Sequence, residues 1–201
     1  MAAQTWVNLL NAGAPWQTTS GAALTSSAST ATLSPQAPGT QDFIMPQQPN
    51  GLQWYPGMTV KIEAGGTLNA GATTSNLTMF LAIGVSGTLA QTLTTSGALT
   101  LGTAVTTAVG WRIDAVLRVL AIGSTGTTLS CGGVMTFPTV ALANVATLGT
   151  ANATIMNLPE TGVAWNTYPV TNPNTAIGLR GTLSAAFGSV QCNQFLLYQV
   201  A

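Results

Sequence analysis

Apolar and polar residues alternate along several segments of this chain, which is the pattern of a β-strand with two different faces. Met58, Val60 and Ile62 are separated by polar residues, and the same spacing recurs over residues 77–85, 177–187 and 190–200. The longest apolar face consists of Trp111, Ile113, Ala115, Leu117 and Val119. Each segment is predicted to be a strand that buries one face. In the closing segment, Cys192, Gln194, Leu196 and Tyr198 are expected to share a face.

Turn residues separate these segments. Pro56–Gly57 and Gly123–Gly126 are predicted turns, and a return strand is predicted over residues 127–137. Gly65–Gly66 is expected to end the strand that begins near Met58, because glycine weakens a strand interior. Residues 86–102 and 159–173 alternate poorly and are interpreted as loops, the first with a poorly marked strand. No segment has the period of a long amphipathic helix.

Many short strands divided by glycine and proline favour a sandwich, a jelly roll or a closed sheet. We predict an all-β fold, an antiparallel jelly-roll-like β-sandwich of about 8–10 strands. Residues 1–20 lack this pattern and are predicted to form an extended N-terminal arm, whereas residues 21–201 form a single β-sandwich domain.

Charged residues are 4% of the chain, against about 25% in an ordinary soluble domain. There is no histidine, so a Ser-His-Asp or Cys-His arrangement is impossible. The acids are Asp42, Glu63, Asp114 and Glu160, and arginines beside a carboxyl would lower its pKa rather than prepare a catalytic acid. No metal-ligand spacing or phosphate loop occurs. We expect no enzyme activity, no catalytic residues, no cofactor and no metal.

The formal net charge is zero. Nucleic-acid binding needs a basic surface, and the bases, Lys61, Arg112, Arg118 and Arg180, are scattered along the chain. The apolar stretch around residues 79–85 is too short to cross a bilayer as a helix. We therefore expect no nucleic-acid partner and no membrane association. Zero net charge favours association between protein copies.

The two cysteines, Cys131 and Cys192, lie far apart in sequence. They are either two small buried apolar residues or a single disulfide between neighbouring strands. No secretory signal is visible at the N-terminus, so synthesis in a reducing cytoplasm is expected, which favours free thiols.

Half of the charges occur in two short strand patterns, Lys61 with Glu63 and Arg112 with Asp114. If the two strands pair antiparallel, placing Lys61 opposite Asp114 also places Glu63 opposite Arg112. Both cross-strand pairs then have opposite signs. We hypothesise that these four residues form a patch that sets the strand register.

Four aromatic residues lie in segments without strand periodicity: Trp6, Trp16, Trp165 and Tyr168. Tryptophan and tyrosine are enriched among the buried anchors of protein interfaces. These residues are candidates for contacts between subunits, and the alternative is that they cover the core of their own subunit.

Several stretches also resemble a known family. They are WVNLL near the N-terminus, WYPGMTVKIEAGGTL, VGWRIDAVLRVLAIGSTGTTLSCGGVMTF, and the closing GTLSAAFGSVQCNQFLLYQV. Together they resemble small structural proteins of the virions of tailed bacteriophages. The likeness covers most of residues 5–200 and consists of strand and turn order, not of a catalytic signature. The longer loop over residues 159–174 departs from many of these proteins.

The resemblance implies a jelly-roll-like homotrimer on the outside of a virion. A decoration or cement protein, bound to the major capsid protein or neighbouring virion proteins and stabilising the head, fits best. The alternative is a minor tail or fibre protein with a receptor- or glycan-binding surface, for which Trp165 and Tyr168 are the candidate platform.

Overall fold

A computed structural model describes residues 7–9, 21, 23–25, 30–34, 43–44, 54–69, 73–85, 88–101, 108–137, 154–165, 175–185 and 188–200 of the chain. These residues contain strands and no helix. The strands are β1 (Val7–Leu9), β2 (Ala31–Thr32), β3 (Phe43–Ile44), β4 (Thr59–Asn69), β5 (Ser75–Val85), β6 (Thr88–Leu101), β7 (Val109–Ile122), β8 (Thr127–Phe137), β9 (Thr154–Trp165), β10 (Thr175–Leu183) and β11 (Ser189–Val200).

The strands form two antiparallel sheets that pack face to face as a β-sandwich, as predicted. The six-stranded sheet has the order β1-β11-β4-β7-β8-β9. The five-stranded sheet has the order β2-β10-β5-β6, and β3 also pairs with β10. The jelly-roll topology predicted from the sequence is more specific than a two-layer sandwich and stays a prediction. The division into an arm of residues 1–20 and a domain of residues 21–201 also stays a prediction.

The alternation predicted for β7 is confirmed, since its apolar face, from Trp111 to Val119, is at most 4% exposed. The largest fully buried side chains come from both sheets and include Phe137 and Phe195 of the six-stranded sheet and Leu77, Met79 and Leu81 of the five-stranded sheet. The main apolar core therefore lies between the sheets, and a small second apolar cluster of Ala82, Leu89 and Ala176 lies on the other face of the five-stranded sheet.

The segment between residues 21 and 34 bonds to both sheets. The Gly21 amide donates to the Cys192 carbonyl at 2.7 Å, and Leu24 exchanges two backbone hydrogen bonds with Val190 of β11. Further on, the Leu33 amide donates to the Leu179 carbonyl of β10 at 2.7 Å. This segment therefore ties the sheets together at one side. On the other side, the Thr94 hydroxyl of β6 donates to the Pro159 carbonyl of β9 at 2.9 Å.

Three local predictions are wrong. The Gly65–Gly66 pair does not end a strand, because β4 continues to Asn69. Residues 88–101 form the long strand β6, where a loop with a poorly marked strand was expected, and β9 runs through Pro159 to Trp165, where a loop was expected. Pro159 is tolerated because it lies at an irregularity between Leu158 and Thr161 in the β8–β9 ladder.

The prediction that Cys192, Gln194, Leu196 and Tyr198 share one face of β11 is also wrong. The ladder with β4 pairs Cys192 with Gly66 and Gln194 with Gly65, so Asn193 is an extra residue in a β-bulge. Cys192 is fully buried, whereas Gln194 is exposed. The bulge thus moves Gln194, Leu196 and Tyr198 to the outward face.

Candidate functional site

The charged residues are concentrated on one outward face. The chain has four bases and four acids, and all but Asp42 lie among the described residues. Six of these seven project from the six-stranded sheet: Lys61, Glu63, Arg112, Asp114, Arg118 and Glu160. This face, which we call the charged face, is one of two candidate functional surfaces.

The predicted patch of Lys61, Glu63, Arg112 and Asp114 exists, and its two strands pair antiparallel as predicted. The register differs from the prediction by two residues. Glu63 lies directly opposite Asp114, Arg112 lies opposite Gly65, and Lys61 lies opposite Val116. A shift of two residues keeps the same side chains outward, so apolar alternation cannot distinguish the two registers.

Arg112 compensates the two opposed carboxylates. Its Nε lies 2.8 Å from Asp114 Oδ2, and its Nη2 donates to Asp114 Oδ1 at 2.9 Å. The same Nη2 lies 3.6 Å from Glu63 Oε2, while Lys61 Nζ binds Glu63 Oε1. The hydrogen bond to Asp114 raises the pKa of Arg112, and the hydrogen bond to Glu63 raises that of Lys61. The four groups form a chain of alternating sign.

A second, smaller group of polar residues lies farther along the charged face. The Ser130 hydroxyl donates to Glu160 Oε1 at 2.6 Å, and Arg118 Nη1 lies 3.4 Å from the same oxygen. Gly132 permits this arrangement, because a Cβ there would come within 2.7 Å of the Glu160 backbone. Since Glu160 already binds Ser130 and Arg118, this group is explained as a structural contact between β7, β8 and β9.

The outward face of the five-stranded sheet has a different chemistry, and we call it the hydroxyl face. Its cross-strand neighbours are uncharged: Asn76 and Thr100, Thr78 and Ala98, Phe80 and Thr95, Ala82 and Thr92. Ala82 is fully buried, and Phe80 packs against the apolar cluster that Ala82 forms with Leu89 and Ala176. The Thr100 hydroxyl donates to Asn76 Oδ1 at 2.9 Å. Arg180 is the one charged residue among the described positions of this face, and its Nη1 donates to the Leu89 carbonyl at 2.7 Å.

The predicted aromatic contacts fall mostly beyond the described part of the chain. Trp6, Trp16 and Tyr168 lie outside the described residues. Trp165 is the last residue of β9, and its backbone is opposite Thr127 of β8. The role of these four residues in contacts between subunits therefore stays a prediction.

The two cysteines are free and buried. Cys131 belongs to β8 and Cys192 to β11, with β4 and β7 between them in the six-stranded sheet. Strands lie about 4.8 Å apart, so the two Cα atoms are separated by at least roughly 14 Å across the sheet, twice the reach of a disulfide. Of the two sequence alternatives, buried thiols is the one observed.

The described ranges of the chain lack two other common kinds of site. No group of three or more cysteine, aspartate or glutamate residues there could hold a metal ion. No helix of the described residues is long and apolar enough to cross a membrane. No family model, curated protein or solved structure matches this chain.

Sequence reasoning found the four residues of the charge patch but missed the hydroxyl face. Its signal was present in the threonines of residues 92–100, which were interpreted as a loop with a poorly marked strand. Threonine favours strands, and a strand with hydroxyls on one face and leucines on the other is weakly amphipathic. Reading threonine as the polar half of the alternation would have identified β6.

Proposed function

We propose that this chain is a non-enzymatic structural protein of a virion, a decoration or cement protein that stabilises a phage head from outside. The observation that carries the proposal is the unequal distribution of charge between the two outward faces. A subunit fixed to a particle has one side against its neighbours and one side in water. The charged face suits water, and the hydroxyl face suits a covered position.

The chemistry of the hydroxyl face supports contact with protein neighbours. The exposed side chains of this face include Asn76, Thr92, Thr95 and Ala98. They are small and uncharged, so they can approach another backbone closely and carry little cost of removing charge from water. Arg180 is the exception, since its Nη1 donates to the Leu89 carbonyl and its Nε is buried with no partner among the described residues. Binding through such a face should depend little on salt, since screening acts on charges.

A jelly-roll connectivity is part of the same proposal. A jelly roll is a long antiparallel ribbon wound around itself, so its strand pairs are nested along the chain. Here β5 pairs with β6, β4 with β7, β2 with β10, and β1 with β11, each pair enclosing the one before. Further pairing of β11 with β4 and of β10 with β5 would wind the ribbon. In this description β8 and β9 are an added hairpin.

We further propose a homotrimer that binds the major capsid protein. The deciding experiment uses particles that lack the protein and measures its rebinding by sedimentation. Thr95→Glu places a carboxylate on the hydroxyl face, and Thr128→Glu places one on the charged face; both threonines are exposed strand residues. Thr95→Glu should weaken binding, and Thr128→Glu should leave it unchanged. Equal binding by both variants would contradict the assignment of the hydroxyl face.

The N-terminal arm has its own test. Removal of residues 1–20 should abolish trimer formation or capsid binding, measured by light scattering and by sedimentation with particles. Unchanged binding and unchanged mass would refute a role for the arm.

Copy number separates the proposal from its alternative. Hundreds of copies per virion are expected of a head decoration protein, and quantitative mass spectrometry of purified virions would count them. A few copies would instead support a tail or fibre protein. In that case, replacing Trp165 and Tyr168 by alanine should reduce binding to host cells.

A further inference from the structure

A notch interrupts the charged face where β11, β4 and β7 run side by side. Gln194, Gly65 and Arg112 lie directly opposite one another across these strands. Because Gly65 has no side chain, a depression of about 500 Å³ opens between the two long polar side chains. This volume lies within the range of about 300–1,000 Å³ typical of small-molecule sites. Its lining includes Glu63, Gly65, Gly66, Arg112, Asn193 and Gln194.

The two glycines of the notch have different reasons to be there. A Cβ on Gly66 would lie 1.9 Å from the Gln191 carbonyl oxygen and 2.6 Å from the Trp111 ring, so packing requires glycine. A Cβ on Gly65 would have the Trp111 carbonyl oxygen, at 3.5 Å, as its only neighbour within 4 Å. Packing therefore does not require glycine at position 65. Glycine also weakens a strand, so its presence there has a cost that packing does not explain. What Gly65 does provide is the open notch.

The bulge supplies the polar wall. Asn193 is the extra residue of β11, and bulges commonly redirect side chains beside binding sites. Asn193 and Gln194 are both exposed, and their amide groups make no side-chain hydrogen bond to other described residues. Opposite them, Arg112 reaches Asp114 and Glu63 through Nε and Nη2, and Nη1 has no such contact within the described part of the chain.

The charges around the notch decide what it can bind. An anion near Arg112 would also meet the carboxylates of Glu63 and Asp114, and a cation near Glu63 would also meet Lys61 and Arg112. A neutral ligand meets neither repulsion. Amide and carboxylate groups each present two polar atoms side by side, so adjacent hydroxyls of one ligand can bond to both.

We propose that this notch binds a neutral, hydroxyl-rich ligand, namely a sugar unit of a glycan. Asn193 and Gln194 donate to and accept from its hydroxyls, Arg112 donates, and Glu63 accepts. The inference goes beyond the structural role proposed above and does not depend on it, since the notch lies on the charged face and not on the hydroxyl face.

The test uses the full chain labelled with ¹⁵N and follows amide and indole signals by NMR during titration. The probes are glucose, galactose and N-acetylglucosamine as neutral sugars, acetate as an anion and putrescine as a cation. At least one neutral sugar should shift the side-chain amide signals of Asn193 and Gln194 and the indole signal of Trp111. The expected dissociation constant is about 1 mM, which corresponds to a binding free energy of about −4 kcal/mol. The proposal is overturned if no neutral sugar shifts them, or if acetate or putrescine binds there more tightly.

Variants at the notch make the location specific. Gly65→Ala should weaken sugar binding slightly, and Gly65→Leu should abolish it by filling the space. Gln194→Ala should weaken binding about 2- to 10-fold, the loss expected for one or two hydrogen bonds. Asn157→Ala, which removes an exposed amide on β9 of the same face, should bind as the unchanged protein does.

Dispersion of the amide signals reports whether each variant is folded. Because Gln194 is exposed and its amide makes no side-chain hydrogen bond to described residues, Gln194→Ala keeps the test valid even if Gly65→Leu fails to fold. Unchanged affinity in a folded Gly65→Leu or in Gln194→Ala would overturn the assignment.

Discussion

At the scale of single residues, the thiols of Cys131 and Cys192 are the groups most altered by the fold. Burial raises the pKa of each from 9.0 to about 12. The reactive form of cysteine is the thiolate, so both thiols are protected in the folded state.

We therefore expect a disulfide reagent such as dithionitrobenzoate to label neither thiol rapidly at pH 8. In concentrated guanidinium chloride both should react at once, which provides the control. Absorbance of the released thionitrobenzoate measures both rates. Rapid labelling of one equivalent under native conditions would contradict the buried placement of that cysteine.

Neighbouring glycines of β4 give a matched pair of substitutions. Gly66→Ala forces its new methyl against the Gln191 carbonyl and the Trp111 ring, and overpacking of this kind costs about 1–3 kcal/mol. Gly65→Ala meets no close atom and should change the free energy of unfolding by less than about 0.5 kcal/mol or increase it. Urea unfolding curves measure both. Equal losses would contradict the described packing of Trp111 under Gly66.

At the scale of strands, Arg112 permits a register that places Glu63 opposite Asp114. We expect Arg112→Met to lower the urea midpoint, because the two carboxylates then face each other without a cation between them. Added salt should reduce this deficit by screening, and a second change, Asp114→Asn, should restore most of the midpoint.

The control for this prediction is Arg118→Met. Its partner Glu160 keeps the hydrogen bond from Ser130 and faces no second carboxylate across a ladder, so the midpoint should fall less. If Arg112→Met and Arg118→Met behave alike at all salt concentrations, Arg112 has no special role in the register.

Strands with strong apolar alternation could be predicted from the sequence, and those without it could not. The alternation of β7 follows from residues 111–119, because one face enters the core and the other meets water. Strand β6 was predicted only as a poorly marked strand within a loop, because its outward residues are threonines, which differ little in polarity from loop residues. The turn at Gly57 was predicted from Pro56–Gly57, and its positive φ of 91° explains the glycine.

The register of the charge patch was wrong for a physical reason. The prediction assumed that residues directly opposite must have opposite signs, whereas the long Arg112 side chain reaches its partners along and diagonally across the strands. The observed register pairs Ile62 with Ala115 and places the Trp111 ring against Gly66. Such packing depends on three-dimensional fit, which residue types alone do not contain. The notch at Gly65 was missed for the same reason.

At the scale of the whole molecule, several groups give stability the same dependence on pH. Cys131, Cys192, Lys61 and Tyr198 all have a pKa raised by folding, through burial for the thiols and Tyr198 and through Glu63 for Lys61. A raised pKa means that the folded state holds the proton more tightly. The stability that such a group contributes is fully present below its pKa in the unfolded state and is lost as the pH rises towards its pKa in the folded state.

We expect the free energy of unfolding to change little between pH 6 and pH 8, where the chain has no histidine to titrate. Above the unfolded thiol pKa of 9.0 it should fall, and by pH 10.5 each cysteine accounts for about 2 kcal/mol. Urea unfolding across this range measures the curve. Replacing both cysteines by alanine should lower stability at pH 7 but flatten the alkaline part, and an equally steep fall would contradict the assignment to the thiols.

The short strand β1 has a consequence for how copies of the molecule relate to one another. Val7–Leu9 pair with residues 198–200 of β11. The backbone hydrogen bonds of such a pair are the same whether the second strand comes from the same chain or from another copy. Residues 7–9 of a neighbouring copy would meet the same hydrogen-bonding groups in the same register. Exchange of this strand could therefore join subunits without any new contact, which is the low-cost route to oligomers known as domain swapping.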